Sequence, residues 1–528
     1  METINNYITI NTQNLKVIKN TFMEIIQSKV IYNIESNVLL QLEGSILNIA
    51  ATDGNIFIEK RIKVINHNHD NFRICVYAKM FFNIIKEHDA DFINMSVQEN
   101  QKIYLFYKGT YIRKREDKYN RERKINTQHL IIGMNAEEYP DNKIDRNFTN
   151  YITVGKKELF TIFKKSINTI AKEPFKPALK GVYFDFISTN KLNIVTTNGR
   201  QMAVYKMNYQ GYKKLNNAII PAEAVTALFK NVSNIDKDID NKETVNISIN
   251  KECIQIIDND YIYTSSLIVE KYPPYKKVIP SKENEKYKNN RKICSIIFNN
   301  EQMIEIKKAV TSLKKLSKAK SKRLIMKFNN NNLVLTIADY KDKNTDDKYN
   351  GIHNISNIVI DNIESNINYT INVNYEYILN ILSMMINKDK NNKCTLEIYS
   401  DEKSPLKILY NNTVYVLMRM GNTEEHNNII EEHIKQFVEN TEENKNTRQQ
   451  RRFIERKKSK KHTIRFIDFI NSIKIIDYKV IELIKYIDSL NITDDEKISL
   501  FNIKYNKYKK PYTWHITDTT KIDILKTA

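Results

Sequence analysis

The stretch IVTTNGRQMAVYK, from Ile194 to Lys206, decides how the rest of the chain is read. Two runs of β-branched and apolar residues flank Asn198-Gly199, a pair that readily takes the left-handed backbone of a tight hairpin, so two antiparallel strands are expected. The pattern also stands about 145 residues earlier, in IAATDGNIFIEK from Ile49 to Lys60, with Asp53-Gly54 at the turn. A period that long exceeds solenoid repeats and points to duplicated whole domains.

Two further kinds of segment recur around these hairpins. One is an amphipathic helix: Leu15, Ile18, Phe22 and Ile25; then Leu159, Phe163, Ile167 and Ile170; then Met303, Ile306, Val310 and Leu313. Steps of three and four residues mark one buried face. The other is a short helix after a strand, in VYAKMFFNIIKE from Val76, IPAEAVTALFKNV from Ile220 and VNYEYILNILSMM from Val373. Two copies share a Tyr-Pro corner, EEYPDN at Tyr139 and EKYPPYKKVIP at Tyr272, where proline cannot donate to a ladder. Runs such as FINMSV, KIYLFY, NLVLTIA and TLEIYS between turn residues read as antiparallel strands. The fold class is therefore α+β: three tandem domains, each with about two helices on an antiparallel sheet, over residues 1–150, 151–290 and 291–420, with an extension at 421–528. Val414 to Met420 is expected to be the last strand of the third domain. The run RKREDKYNRERK, residues 113–124, is too charged to pack and is expected to be an extended loop.

Lys and Arg number 83 against 62 Asp and Glu, a formal charge of +21 that favours a polyanionic partner. The chain is also rich in Asn, Ile, Lys and Tyr, a bias that AT-rich coding produces, so placement must decide. On the long helices lysines recur at seven-residue steps: Lys157 and Lys164, Lys165 and Lys172, Lys307 and Lys314, Lys308, Lys315 and Lys322. Such stripes lie opposite the apolar face. A charged face on one helix is usually only solvated; repetition on equivalent helices points to phosphate contacts without base reading, salt-sensitive and independent of sequence.

The four cysteines (Cys75, Cys253, Cys294, Cys394) are scattered and signal neither a zinc site nor a disulfide framework. No apolar run approaches the ~18 residues of a membrane helix and the N-terminus lacks a leader pattern, so a cytoplasmic protein without membrane contact is expected. An enzyme acting on DNA would need chemistry that is missing here: there is no GxxxxGK[ST] and no GxGxxG. HNHD at His67 reads as a polar turn, and DKDID at Asp236 lacks the glycine and distal glutamate of a calcium loop. No catalytic residue, metal or cofactor is assigned.

Several of these segments, in order, resemble the bacterial sliding clamp family, the beta subunit of the replicative DNA polymerase: KPALKGVYF at Lys176, IVTTNGRQMAVYKM at Ile194, IIPAEAV at Ile219, YIYTSSLIVEKYPPYKKVIP at Tyr261, NYEYILNIL at Asn374 and VYVLMRM at Val414. The resemblance covers roughly residues 1–420. It implies a head-to-tail homodimer closing a six-domain ring around double-stranded DNA, with Ile131 and Leu313 at the dimer interface. It also implies DNA-facing Lys29, Lys157, Lys165, Lys172, Lys176, Lys308 and Lys315. Implied partners are the replicative polymerase, the clamp-loader ATPase, and repair and replication proteins carrying short clamp-binding motifs. They would dock in a cleft lined by Leu179, Thr197, Gly199, Met202, Pro273, Val278, Val416, Met418 and Met420, edged by Asn374 and Tyr377; methionines and small aliphatics suit such an adaptable pocket. The alternative is a basic scaffold that coats DNA without encircling it.

Departures from the family are specific. Arg419 stands between two methionines where the family usually has proline, adding a charge at the cleft rim, and Arg200-Gln201 replaces a polar residue followed by arginine. The family normally stops near Met420, whereas here an acidic stretch, a basic run (RQQRRFIERKKSKKH from Arg448) and an apolar periodic segment (Ile464 to Leu490) follow. Within the extension, KISLF, Lys497 to Phe501, is similar to the motif by which partners dock on such clamps.

Overall fold

The structure, a computed structural model, describes residues 6–26, 34–87, 90–112, 122–137, 139–140, 148–172, 176–230, 243–259, 261–281, 290–316, 322–329, 331–340, 352–363, 365, 367–386, 391–421, 432–437, 439, 485, 487–490 and 497. In chain order the elements are β1 (Tyr7–Asn11), α1 (Thr12–Ile25), β2 (Asn37–Glu43), β3 (Ile46–Thr52), β4 (Ile56–Lys63), β5 (Ile65–His67), β6 (Phe72–Tyr77), α2 (Ala78–Lys86), β7 (Phe92–Val97), β8 (Lys102–Ile112), β9 (Glu122–Ile132) and β10 (Met134–Asn135). Next come β11 (Tyr151–Gly155), α3 (Lys156–Ser166), β12 (Gly181–Phe186), β13 (Lys191–Thr197), β14 (Gln201–Asn208), β15 (Ala218–Pro221), α4 (Ala222–Lys230), β16 (Thr244–Ile249), β17 (Cys253–Asp258) and β18 (Tyr261–Ser266). Last are β19 (Lys292–Asn299), α5 (Asn300–Leu316), β20 (Arg323–Asn329), β21 (Asn332–Tyr340), β22 (Ile352–Ile360), β23 (Asn368–Asn374), α6 (Tyr375–Met385), β24 (Lys393–Tyr399), β25 (Leu406–Tyr410) and β26 (Thr413–Leu417).

Every helix named here starts where a strand stops, at β1–α1, β6–α2, β11–α3, β15–α4, β19–α5 and β23–α6. Asn11 and Asn374 cap two of these starts, their side chains accepting from the amides of Gln13 and Glu376. The helices pack in pairs, α1 on α2, α3 on α4 and α5 on α6. Their inward residues, among them Phe22, Leu159, Phe163, Val310 and Leu313, are fully buried with the facing strand residues. Each such side chain contributes about 1.5–3 kcal/mol on leaving water.

All strand pairs are antiparallel. The nine-stranded sheet runs β10-β6-β2-β3-β4-β18-β17-β16-β11, and the eight-stranded sheet runs β15-β12-β13-β14-β26-β25-β24-β19. Two seams join distant chain segments in them: β4 to β18, where Ile58 faces Tyr263, and β14 to β26, where Met202 faces Val416. A five-stranded sheet, β5-β1-β7-β8-β9, and a four-stranded sheet, β22-β21-β20-β23, leave β9 and β22 as edges among the described strands.

Several sequence expectations are corrected. Glu122, Arg123 and Lys124 are rungs of the long β8–β9 hairpin and not loop, because backbone pairing to Ile112, Tyr111 and Thr110 does not depend on side-chain polarity. Helix α3 ends at Ser166 and passes into a 3-10 turn, Ile167–Thr169, so Lys172 lies beyond the helix; Lys322 likewise follows the end of α5. The final strand stops at Leu417. The tip of the charged insert and the DKDID run lie outside the described residues. Of the free cysteines, three are buried and Cys294 is half-buried; burial pushes the Cys394 thiol up to about 12.

The residues from Glu431 onward form a separate compact unit. In it Ile434 and Ile487 are buried, and the Lys497 ammonium donates to the Asp488 carbonyl at 2.7 Å. Ile498 to Phe501, the rest of the KISLF match, lie outside the described residues.

Candidate functional site

Alternation along β14 splits its side chains between two environments. Ala203, Tyr205 and Met207 join the core beneath the helices, whereas Met202 and Val204 join a second apolar cluster on the opposite face of the eight-stranded sheet. That cluster contains Ala178, Leu179, Val195, Ile219, Tyr272, Tyr275, Val414 and Val416. The floor of the expected cleft is thus brought together: Leu179, Met202 and Val416 are in the cluster, and Val278 packs against it half-buried. Thr197 and Gly199 form the turn at one end, where the Thr197 hydroxyl accepts from the Gly199 amide at 3.0 Å. Gly199 sits at φ +84°, a conformation that other residues reach only with strain.

The opposite wall is the loop after β18. Pro273 is half-buried and its carbonyl accepts from the Tyr275 amide at 2.7 Å, opening the 3-10 turn Tyr275–Val278. The buried Asp185 carboxylate fastens this loop: it accepts from the Tyr275 hydroxyl at 2.7 Å and pairs with the Lys276 ammonium at 3.0 Å. Asn193 donates to the same hydroxyl, and Tyr183 stacks on Tyr272 with ring centroids 4.4 Å apart. Burial holds the Tyr272 and Tyr275 phenols well above the ordinary value.

At the rim, Met418 is 37% exposed and Met420 half-buried. Arg419 does not project its charge freely: it donates to the Tyr369 hydroxyl at 3.1 Å and the Tyr399 carbonyl at 3.0 Å. Gln201 is 2% exposed and donates to the Asn168 carbonyl, on the helix side of the sheet. Asn374 and Tyr377 are not part of the apolar cluster; Asn374 caps α6, and Tyr377 packs half-buried against the core. Val204 and Val414, two residues from Met202 and Val416, were missed by sequence reasoning, although strand alternation would have found them.

The lysines divide. Lys157, Lys172, Lys176, Lys308 and Lys315 are exposed, on α3, on the segment after it and on α5. Lys165 is half-buried 5.9 Å from the Tyr410 ring centroid, and desolvation lowers its ammonium below the ordinary range. Lys29 lies outside the described residues. Lys314 and Lys322 both pair with Glu376, at 3.8 and 2.7 Å, which sequence reasoning did not foresee. The side chains of Ile131 and Leu313 are 2% and 0% exposed inside the core and offer no outward surface; next to Ile131 on β9, Leu130 and Ile132 point outward, 45% and 63% exposed. The HNHD turn has a structural role: His69 Nε2 accepts from the Val97 amide at 2.8 Å, and His67 bonds Thr9. Among the described residues no cluster could hold a metal ion, and no helix is long and apolar enough to cross a membrane.

Helices on one face of sheets shared between successive repeats, with an apolar groove on the other face, define a DNA-clamp type of fold. The chain matches the N-terminal domain of the DNA polymerase III beta subunit over residues 7–143 and its central domain over residues 153–274. It belongs to that family, the bacterial beta sliding clamps. It is 22% identical over 267 residues to the beta sliding clamp of Buchnera aphidicola, covering 51% of this chain and 65% of the relative. It is 24% identical over 253 residues to that of Borreliella burgdorferi, covering 47% and 60%. The matched stretch thus spans just under two thirds of these curated relatives. In three dimensions it is similar to the DNA polymerase III subunit beta of Pseudomonas aeruginosa, with TM-score 0.64 and 17% identity, covering 79% of this chain and 100% of that one. The Borrelia burgdorferi subunit in complex with a natural product gives 0.62, 19%, 79% and 99%.

Proposed function

We propose that the chain is a DNA sliding clamp. Two copies of three clamp domains each, at 1–150, 151–290 and 291–420, close a ring around duplex DNA without reading its sequence. It acts without catalysis, holding the replicative polymerase on its template. The clamp loader and repair proteins use the same apolar groove, whose lining is Leu179, Thr197, Gly199, Met202, Pro273, Val278, Val416, Met418 and Met420.

The observation that carries this reading is the pattern of sheet edges. In the two shared sheets the order across the seam is β2-β3-β4 then β18-β17-β16, and β12-β13-β14 then β26-β25-β24. The sheet edges β20-β21-β22 and β9-β8-β7 have the same two halves, each ending at its seam strand. A second copy joining its β9 to β22 completes a third shared sheet, and the twofold repeat of that pairing closes the ring. The exposed Leu130 and Ile132 on β9 would then be covered. Lys157, Lys172, Lys176, Lys308 and Lys315 supply the positive charge that meets the phosphates.

Mass in solution tests the assembly: twice 62.4 kDa is expected, and a strict monomer at micromolar concentration would sink the ring. Loaded onto circular duplex DNA, the protein should be retained and then released on linearisation. Equal retention on linear DNA would favour a scaffold that does not encircle it.

A further inference from the structure

We propose that Arg419 is a positioning residue for the groove, holding residues 418–421 so that the methionine rim is in place before a peptide arrives; the proposal rests on the groove reading of the proposed function. Strand β26 ends at Leu417, so the next residues leave the sheet ladder and need other ties. Among the described residues two backbone ties and one side-chain tie reach this segment. The Met418 amide donates to the Arg200 carbonyl at 2.9 Å, and the Met420 amide to the Asn372 carbonyl at 2.8 Å. Arg323 Nη2 donates to the Gly421 carbonyl at 3.1 Å.

The side chain of Arg419 supplies the tie at the centre of this segment. Its Nη1 donates to the Tyr369 hydroxyl at 3.1 Å and its Nη2 to the Tyr399 carbonyl at 3.0 Å, while its guanidinium carbon stands 5.7 Å from the Tyr369 ring centroid. Tyr369 is in β23 and Tyr399 ends β24, so one planar group bridges two strands that lie in different sheets. A guanidinium fork can satisfy an oxygen at each prong and present its face to an aromatic ring, which a lysine ammonium does not match.

The position gives this tie its meaning. In the family that the sequence resembles, a proline usually stands here, and a proline stiffens its own backbone by fixing φ. Arginine has no such intrinsic restraint, and the bonds to Tyr369 and Tyr399 supply the stiffness from outside. Met418 and Met420 flank Arg419 and, on the groove reading, form its rim.

The test uses the full chain and a fluorescein-labelled peptide Gln-Leu-Ser-Leu-Phe, with binding read by anisotropy. Amide exchange at Met418 and Met420 is followed by mass spectrometry, and the melting midpoint is measured beside both. If Arg419→Ala leaves the rim in place about a tenth of the time, the apparent Kd weakens about ten-fold. Exchange at Met420 should quicken while the midpoint stays within about 2 °C, a shift well under that of a core substitution. Arg419→Lys keeps the charge but not the fork and should fall between the two. Unchanged peptide affinity and unchanged exchange in Arg419→Ala would overturn the proposal even though the wild type binds. A wild type that fails to bind the peptide would instead overturn the groove reading, and exchange at Met420 would then decide on Arg419 alone.

Discussion

Met202 and Met418 belong to the same expected groove but are held so differently that their alanine variants should separate folding from binding. Met202 is 4% exposed and packed in the apolar cluster beneath the groove. Truncating a buried methionine costs about 2–5 kcal/mol in transfer and cavity terms, so Met202→Ala should lower stability by that amount and weaken peptide binding as a consequence. Met418 is 37% exposed, with roughly a third of the side chain still to be covered when a partner arrives. At about 1.5–3 kcal/mol for full burial of such a side chain, covering that third yields about 0.5–1 kcal/mol, or two- to five-fold in Kd. Met418→Ala should therefore leave the urea midpoint nearly unchanged and weaken a labelled clamp-binding peptide by that factor. The assay is urea unfolding at constant m-value beside anisotropy titration. A stability loss above about 2 kcal/mol for Met418→Ala, or below about 1 kcal/mol for Met202→Ala, would refute the assignment of one to the rim and the other to the floor.

Lys156, 5% exposed, pairs with Glu243 and Asp258 at 2.9 Å each; burial pulls its ammonium down, but the two carboxylates together outweigh it and hold the ammonium above the ordinary value. Lys156→Met should cost about 3–5 kcal/mol at neutral pH, with chemical denaturation as the measure, because buried Asp258 is left uncompensated. At Glu397, burial pushes the carboxyl up, but bonds from Lys407, Tyr399 and Lys292 outweigh it and the net shift is below the ordinary 4.5. A depressed carboxylate stabilises above its unfolded value and loses that contribution as pH falls through the folded one, so the deficit of Glu397→Gln should be full at pH 7 and shrink below about pH 4.5. Equal melting deficits at pH 7 and pH 3 would contradict this. Lys308→Glu with Lys315→Glu should reduce the slope of log K against log salt for duplex DNA by about 2, near 0.9 for each phosphate that is no longer neutralised. An unchanged slope would place these lysines away from DNA.

Much of the fold was legible because it rests on local rules. Asn198-Gly199 announced its hairpin, and Gly199 does sit in the left-handed region. Leu159 and Phe163 announced a buried helix face and are fully buried. Periodicity failed where a local bond intervened: the Ser166 hydroxyl donates to the Phe163 carbonyl as α3 closes, the next turn is 3-10, and the expected stripe from Lys165 to Lys172 is broken. Charge misled in the insert, where Glu122 to Lys124 extend a strand by backbone pairing, which side-chain charge does not announce. Within the groove, Leu179, Met202 and Val416 came from resemblance. The bond from Tyr275 to Asp185, which fixes the wall, joins residues 90 apart in sequence and leaves no pattern to read.

The two seams show how one topology carries a groove in one place and not in the other. Counted from their turns, Gln201 corresponds to Ile56, so Met202 and Val204 on β14 match Phe57 and Glu59 on β4. Their partners across the seam are Val416 and Val414 in one case and Thr264 and Ile262 in the other. The same four outward places therefore hold Met, Val, Val and Val at the second seam, but Phe, Glu, Thr and Ile at the first. Phe57 is 2% exposed and clusters with Cys253 and the half-buried Phe148, so its apolar surface is already covered within the chain. The half-buried glutamate in the remaining row makes an apolar ligand costly to seat there, since covering its carboxylate would take water from a charge. At the second seam the floor is apolar throughout, and the wall at Pro273 and Val278 is fastened beside it by the bond from Tyr275 to Asp185. Backbone pairing builds both seams, and the outward side chains of four strand positions decide which of them can receive an apolar peptide.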